Sequence, residues 1–478
     1  MKQRQWLITI VSLLLFTIVF YSGKVEANTI DLNGGVKNEN TYEEYVFLTG
    51  VPIKFTGTNK NVSVSVSEKK GQLTETYKLT LTGANGEKLA RQFTYAYDVT
   101  NYDQIGQSTA TGEVTKYTEK VTIGNKTYTL TDYQFSKSAV TDKRPASDYF
   151  SGNALARKTY SVKNGKNTDE ITIHVDSRNE GYENFWGATE TQITEYEMIF
   201  EDGSIGTVKN RVSSSKSRTL NYEENASSLS SFYGGYVVNS AADIISEYDY
   251  KLPKKSGTVS LNLKMMPRIE RLIVPKFRDL SSHQAKDAIE KLYSLGILED
   301  QSNFFSPNTP MQRYDFTIAI GKAIDLRVLE DTEKRGKKAP ASIFNDVKRT
   351  TKDYNYLESA VKKGVITGIT PTKFDPDGFL TRQQAAAILV RALGLEGKAP
   401  DPGYQTNYRD DAKITDYARD AVYVVSELGL MTGDSVTGNF NPKGKLTRAQ
   451  ASLIMMRFLE YLENDLKQNY RDDILFFD

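Results

Sequence analysis

An antiparallel β domain, sheet or sandwich, followed by an all-α half is the architecture this sequence predicts. Three observations carry it. Apolar residues alternate with a period of two from about Asn28 to Met265, the period changes to 3.6 after Phe277, and the second stretch repeats itself three times. The divisions that follow are a leader at 1–27, a β domain at 28–265, a linker at 266–276, helical units at 277–330, 331–395 and 396–465, and a tail at 466–478. A chain of 478 residues is expected to hold more than one core.

The leader opens with Lys2 and Arg4, runs apolar from Leu7 to Phe20 and ends in the small-residue spacing Val25-Glu26-Ala27. That is the pattern of a secretory signal, with an uncleaved membrane anchor as the alternative. The chain has 61 basic and 60 acidic residues, a balance with no global pull toward nucleic acid. Cysteine is absent, which removes disulfides, thiol chemistry and cysteine metal sites. Export without cysteine suits the surface of a monoderm, Gram-positive bacterium. With neither an apolar tail nor an LPxTG-like sorting signal, retention there is expected to be noncovalent.

In the β half, Val62, Val64 and Val66 alternate with serines, Tyr77, Leu79 and Leu81 with polar residues, and Phe93, Tyr95, Tyr97 and Val99 form another row. Asn85-Gly86, Gly124-Asn125, Asn164-Gly165 and Asp202-Gly203 mark hairpins, since primed turns need the positive φ that Gly and Asn adopt cheaply. Tight hairpins join antiparallel neighbours. Two subdomains are allowed by this pattern, and the Ser- and Asn-rich stretch Ser213 to Ser231 reads as a loop.

No catalytic set stands out here. His174 sits beside Ile173 and Val175 on a strand and reads as a structural histidine, and His283 as an exposed residue near a helix start. Neither has metal-ligand spacing, and no cofactor is implied. Glu195 and Glu197 share one strand face, read as its solvated side, although two carboxylates are all a glycosidase needs. The cluster Tyr182, Phe185 and Trp186 could stack on a ligand but more often staples a loop to a core.

The helical half opens each unit with an aromatic, any residue and Asp: Phe277 to Asp279, Phe344 to Asp346, Tyr408 to Asp410. A first helix follows and stops at Gly296, Gly364 or Gly429. Then come F-x-P, at Phe305, Phe374 and Phe440, and an arginine eight residues after each: Arg313, Arg382 and Arg448. The arginine starts a second helix whose buried face is predicted as Phe316, Ala319, Ile320, Ala323 and Ile324 in the first unit. It is Ala385, Ile388, Leu389, Ala392 and Leu393 in the second, and Ala451, Ile454, Met455, Phe458 and Leu459 in the third. Thr381 with Gln384, and Thr447 with Gln450, have capping-box spacing; Gln312 with Asp315 is a degraded version. A cation at the first helical position is electrostatically unfavourable, so its triplication asks for a cause.

These motifs, with the turns "GVITG" and "GLMTG" and the sequences "LTRQQ" and "LTRAQ", resemble S-layer homology (SLH) domains over roughly Phe277 to Leu462. The resemblance implies an all-α spindle of pseudo-threefold symmetry. It implies as partner a pyruvylated secondary cell-wall polysaccharide, bound in grooves between units. Arginine would grip the ketal carboxylate, beside free N–H groups at the helix start. Arg382 and Arg448 rank above Arg313, because unit 1 lacks the cap and the second glycine of its turn. Asp279, Asp346 and Asp410 would cap the first helices or bond sugar. Gly368 and Gly433 would be turn glycines that admit the ligand to the backbone. The family's tryptophan falls on Gln284, Lys352 and Tyr417, of which Tyr417 keeps an aromatic face, as core or as a sugar platform. The expected protein is a wall-anchored, nonenzymatic surface protein whose β domain has an unidentified carbohydrate or protein ligand. The alternatives are a wall-anchored hydrolase and a subunit of an S-layer lattice.

Overall fold

The computed structural model describes residues 32–69, 72–224, 234–299, 302–326, 341–400 and 405–466. The leader expected at 1–27, the start of unit 2 and nearly all of the tail at 466–478 lie outside them. The N-terminal domain begins with β1 (Val36–Lys37), β2 (Thr41–Val46), β3 (Ile53–Thr58), β4 (Val62–Lys69) and β5 (Gln72–Gly83). Long strands follow: β6 (Lys88–Tyr102), β7 (Gln107–Ile123), β8 (Lys126–Lys143), β9 (Ser147–Asn164) and β10 (Asn167–Asn184). The last are β11 (Gly187–Ile199), β12 (Ile205–Glu223), β13 (Gly235–Lys251), β14 (Ser256–Lys264) and β15 (Arg268–Arg271).

All pair antiparallel in one sheet that runs from β1 to β14 largely in chain order. The hairpin signals are the cause. The β7–β8 turn is Gly124-Asn125, with φ +57° at Gly124, and each such turn places the next strand beside the last. Long twisted strands coil, so the sheet curls into a barrel-like domain and forms neither a sandwich nor two subdomains. Its two ends meet: Ser246 Oγ and Tyr248 Oη donate to the Gly34 carbonyl at 2.8 and 2.6 Å, and Asn38 Nδ2 to that of Lys264 at 3.3 Å.

The predicted rows Tyr77/Leu79/Leu81 and Phe93/Tyr95/Tyr97 are buried inside. Val64 and Val66 are exposed, because β4 pairs only with β5 among the described residues. The interior also holds ions. Arg91 grips Glu44 (2.8 and 3.0 Å) and Glu119 (2.9 and 3.2 Å), all three side chains being almost sealed from solvent. Burial pushes the Glu119 carboxyl up, but the charges of Arg91 and Lys158 outweigh it and hold the group below the ordinary glutamate range.

Two local readings of the sequence also differ from the structure here. Ser213 to Glu223 is strand, not loop, because β11 and β13 pair with both its edges and tertiary pairing overrides composition; residues 225–231 lie outside the described set. The linker at 266–276 contains β15, which pairs with the stretch of β13 that β14 leaves open.

The helical half contains α1 (Lys286–Ser294), α2 (Arg313–Ala323), α3 (Tyr354–Lys362), α4 (Arg382–Leu393), α5 (Asp416–Glu427) and α6 (Arg448–Glu460). The predicted apolar faces of α2, α4 and α6 are buried in one core, together with Phe305, Phe374 and Phe440 of the F-x-P loops. Just before each second helix, backbone bonds close a ring of three: Met311 N–H to Leu446, Leu446 to Leu380, and Leu380 to Met311, at 2.8, 3.0 and 2.9 Å.

This core continues into the β domain through Ala146, Tyr149, Tyr182 and Trp186. Helix ends leave orphan carbonyls, and the β domain supplies donors to them. Trp186 Nε1 reaches Ala323 (2.9 Å), Ala146 N–H reaches Ala392 (2.9 Å) and Asn184 Nδ2 reaches Leu462 (3.2 Å). Trp186 is thus the staple its setting suggested, and what it joins is two domains.

Candidate functional site

The arginine that begins each second helix belongs physically to the next unit. Arg382 Nε and Nη2 donate to the carbonyls of Phe440 and Thr432, both at 2.7 Å, and its guanidinium carbon lies 4.8 Å from the Phe440 ring centre. Arg313 does the same in unit 2, with the carbonyls of Phe374 (3.1 Å) and Thr367 and the Phe374 ring at 4.9 Å. Arg448 closes the circle on unit 1, over the Phe305 ring at 4.5 Å, with Nη2 donating to Tyr293 Oη at 3.3 Å. Arg313 is buried, whereas Arg382 and Arg448 are half-buried. Desolvation pulls the guanidinium groups of Arg313 and Arg382 below their ordinary pKa.

The resemblance implied free N–H groups at the helix starts, but these are occupied. The N–H groups of Arg313, Arg382 and Arg448 donate to Gly378, Gly444 and Thr309 at 2.8, 2.9 and 2.8 Å. Joining unit to unit consumes the donors that an isolated helix would leave free. What remains for a ligand is guanidinium capacity: the Arg313 and Arg382 side chains use two of five donors on neutral carbonyls and meet no carboxylate at ion-pair distance among the described residues.

Unit 1's departures divide between two interfaces. Its own Arg313 enters the intact glycine turn of unit 2, while Arg448 reaches back to unit 1, where the Tyr293 hydroxyl on α1 accepts from its guanidinium. Tyr293, Thr367 and Thr432 escaped the sequence reading; the place of Thr367 and Thr432 within the G-x-x-x-G turns was the available signal. The capping box is complete at Thr447, where Gln450 Oε1 accepts the Thr447 N–H and the Thr447 hydroxyl accepts that of Gln450. At Thr381, Gln384 Oε1 accepts the cap N–H at 2.9 Å, and Gln312 makes no side-chain cap.

The aspartates do not cap the first helices; each binds backbone N–H groups of its own F-x-P loop. Asp279 accepts the N–H groups of Phe305 and Ser306 (3.0 and 2.7 Å), Asp346 those of Phe374 and Asp375 (2.9 and 2.8 Å), and Asp410 those of Phe440 and Asn441 (2.8 Å each). They brace the F-x-P loop, whose middle residues Ser306, Asp375 and Asn441 have φ of 57°, 63° and 56°, a conformation costing a side-chain-bearing residue about 1 kcal/mol. Burial pushes the carboxyls of Asp279 and Asp346 up, but these donors outweigh it and hold both below the ordinary range.

Gly368 and Gly433 are glycines for packing reasons of their own. A Cβ there would sit 2.6 Å from the Phe344 ring or 2.5 Å from the Tyr408 ring, so the protein's own aromatics use the space. Tyr417 is 53% exposed on the first turn of α5 and is not core; it and Asp375 lie within electrostatic reach of Arg313.

In the β domain, His174 is exposed and not a core residue, since it falls on the outward phase of β10. It lines a groove of about 1280 Å³ on the outer face of the sheet with Asp176, Glu195, Glu197, Arg157 and Lys209. Lys209 bonds Glu195 at 2.8 Å and lowers its pKa. His283, expected exposed, is half-buried, and its Nδ1 accepts the Ala285 N–H at 3.1 Å.

The family described as S-layer homology domain matches residues 276–317, 343–386 and 407–452. Three tandem SLH units occupy the C-terminal half. An amylopullulanase of Thermoanaerobacterium thermosulfurigenes is 31% identical over 214 residues, covering 44% of this chain and 11% of that protein. The surface-layer 125 kDa protein of Lysinibacillus sphaericus is 26% identical over 190 residues, covering 39% and 15%. An endoglucanase of a Bacillus species is 35% identical over 129 residues, covering 27% and 13%. The chain therefore spans only 11% to 15% of the length of these relatives. The enzymes align over the SLH region alone. The SLH units and the surface-layer relatives support a cell-surface protein. Among the described residues no helix is long and apolar enough to cross a membrane.

Proposed function

We propose that this is an exported protein of a monoderm bacterium, held noncovalently on the wall by secondary cell-wall polysaccharide. The SLH units form a pseudo-threefold spindle, and the pyruvyl ketal carboxylates of the glycan sit between units against Arg313, Arg382 and Arg448. Tyr417 flanks the sugar, and the β domain is carried as a nonenzymatic binding or structural module. The observation behind this reading is that Arg313 and Arg382 are set between units on carbonyls and rings, with no bonded carboxylate among the described residues. A planar cation with donors to spare suits a carboxylate bidentately. Co-sedimentation of the full chain with purified walls, before and after chemical extraction of the polysaccharide, tests it. Pelleting that survives extraction contradicts the reading.

A second reading has one observation in its favour: His174, Asp176, Glu195 and Glu197 share the exterior groove. A hydrolase acting there would release reducing ends from wall glycans and lose that activity on Glu197→Gln or Glu195→Gln. Equal release by all three proteins removes it.

A further inference from the structure

The outer face of the β domain treats charge in two ways. On β11 to β13, cations meet acids across the strands. Lys209 stands opposite Glu195 with an ion pair of 2.8 Å, and Arg211 opposite Glu247 at 3.8 Å. On β4 to β7 the outward lysines do not. Lys78 stands between Ser63 and Gln92, Lys120 between Ala90 and Thr129, and Lys88 between Thr82 and Thr122. Lys60, Lys78 and Lys120 are exposed and have no ion pair among the described residues. The acid on the same strand, Glu119, turns its carboxylate inward onto Arg91. The next outward acid in register, Glu113, stands opposite Ala96, beyond the row of Thr94 and Lys116.

Lys60, Lys78 and Lys120 line a groove of about 690 Å³, with Thr80, Gln92 and Thr118 between them. We propose that this groove is a second docking site for an acidic polysaccharide, separate from the SLH arginines. Uncompensated cations in a concavity attract a polyanion, and the hydroxyl and amide groups between them can donate to and accept from sugar hydroxyls. The lining contains no aromatic side chain on which nucleobases would stack, and no apolar wedge for a lipid surface. An anionic glycan is the occupant that uses both the lysines and the hydroxyls.

The test is affinity electrophoresis of the full chain through gels containing polygalacturonate, with neutral dextran, single-stranded DNA and anionic lipid vesicles as comparison probes. Lys78→Thr/Lys120→Thr keeps strand-compatible residues while removing two charges. Lys54→Thr/Lys126→Thr removes the same charge from lysines already paired with Glu43 and Glu201 at 2.8 Å, and serves as the matched control. The groove pair is expected to weaken polygalacturonate binding by roughly tenfold and to flatten its salt dependence, while the control changes little. Equal retardation of the two variants, no retardation of the unmodified chain, or binding to DNA or vesicles as strong as to polygalacturonate overturns the proposal. Unchanged melting of the variants confirms that folding is not what was measured.

Discussion

Arg91 in the β domain and Arg382 between two SLH units are both drawn away from water, but their partners differ in kind. Arg91 is neutralised on two sides by Glu44 and Glu119. Arg382 leans on the Phe440 ring and donates to two carbonyls, and the nearby Asp410 spends its oxygens on backbone N–H groups. A buried ion network that is complete fixes a fold and has nothing left to bind. A half-buried cation held by neutral acceptors keeps its charge for something outside the chain. The difference separates a structural arginine from the one proposed here for recognition.

The largest effect should come from breaking the complete network. Arg91→Met leaves two sealed carboxylates without their cation and should cost about 3–5 kcal/mol in denaturant unfolding, against about 1–2 kcal/mol for Arg382→Met. Equal costs would erase the distinction. Acid should act on the same network. Glu119 has a lowered folded pKa, so its contribution is intact above the unfolded value and fades as pH falls through the folded one.

Glu190 sharpens the comparison with the opposite sign. It is a buried acid bonded by Asn179, and burial pushes its carboxyl up from 4.5 to about 7. The folded state therefore holds its proton more tightly, and stability falls as pH rises from 4.5 toward 7. Glu190→Gln should raise stability by about 2–3 kcal/mol at pH 8 and leave it nearly unchanged below pH 5, read from melting at both values. The smallest effect isolates the helix start from its arginine. Thr447→Ala removes the cap that accepts the Gln450 N–H at 3.2 Å, and should cost about 1 kcal/mol without weakening wall binding.

Much of the helical half was legible because its constraints are local. Ala385, Ile388 and Leu389 share a face by spacing alone, and glycine at 364 or 429 stops a helix by its own backbone freedom. The unit-to-unit ring was not legible, since nothing near Arg382 in sequence names Phe440 or Thr432. Asp346 misled for a related reason: an acid close to a helix start resembles a cap, yet its partners are 28 and 29 residues away. In the β half, turn dipeptides fixed the antiparallel neighbours but not the curl, which comes from accumulated twist. The ion network did leave a trace. Arg91 lies in phase with Leu89 and Phe93, Glu119 with Val121, and Glu44 with Tyr42 and Val46, each a charge on an otherwise apolar row.

The account rests most heavily on the carboxylate that the inter-unit arginines are held to meet. Co-sedimentation with walls carrying intact ketal pyruvate, and with the same walls after its mild acid removal, tests this for the unmodified chain and for Arg313→Ala/Arg382→Ala. The unmodified chain should pellet fully with intact walls and lose most of that binding on ketal-free walls. The double variant, left with Arg448 alone, should pellet far less than the unmodified chain on intact walls. Pelleting of the variant equal to that of the unmodified chain on intact walls, or undiminished pelleting of the unmodified chain on ketal-free walls, would contradict it.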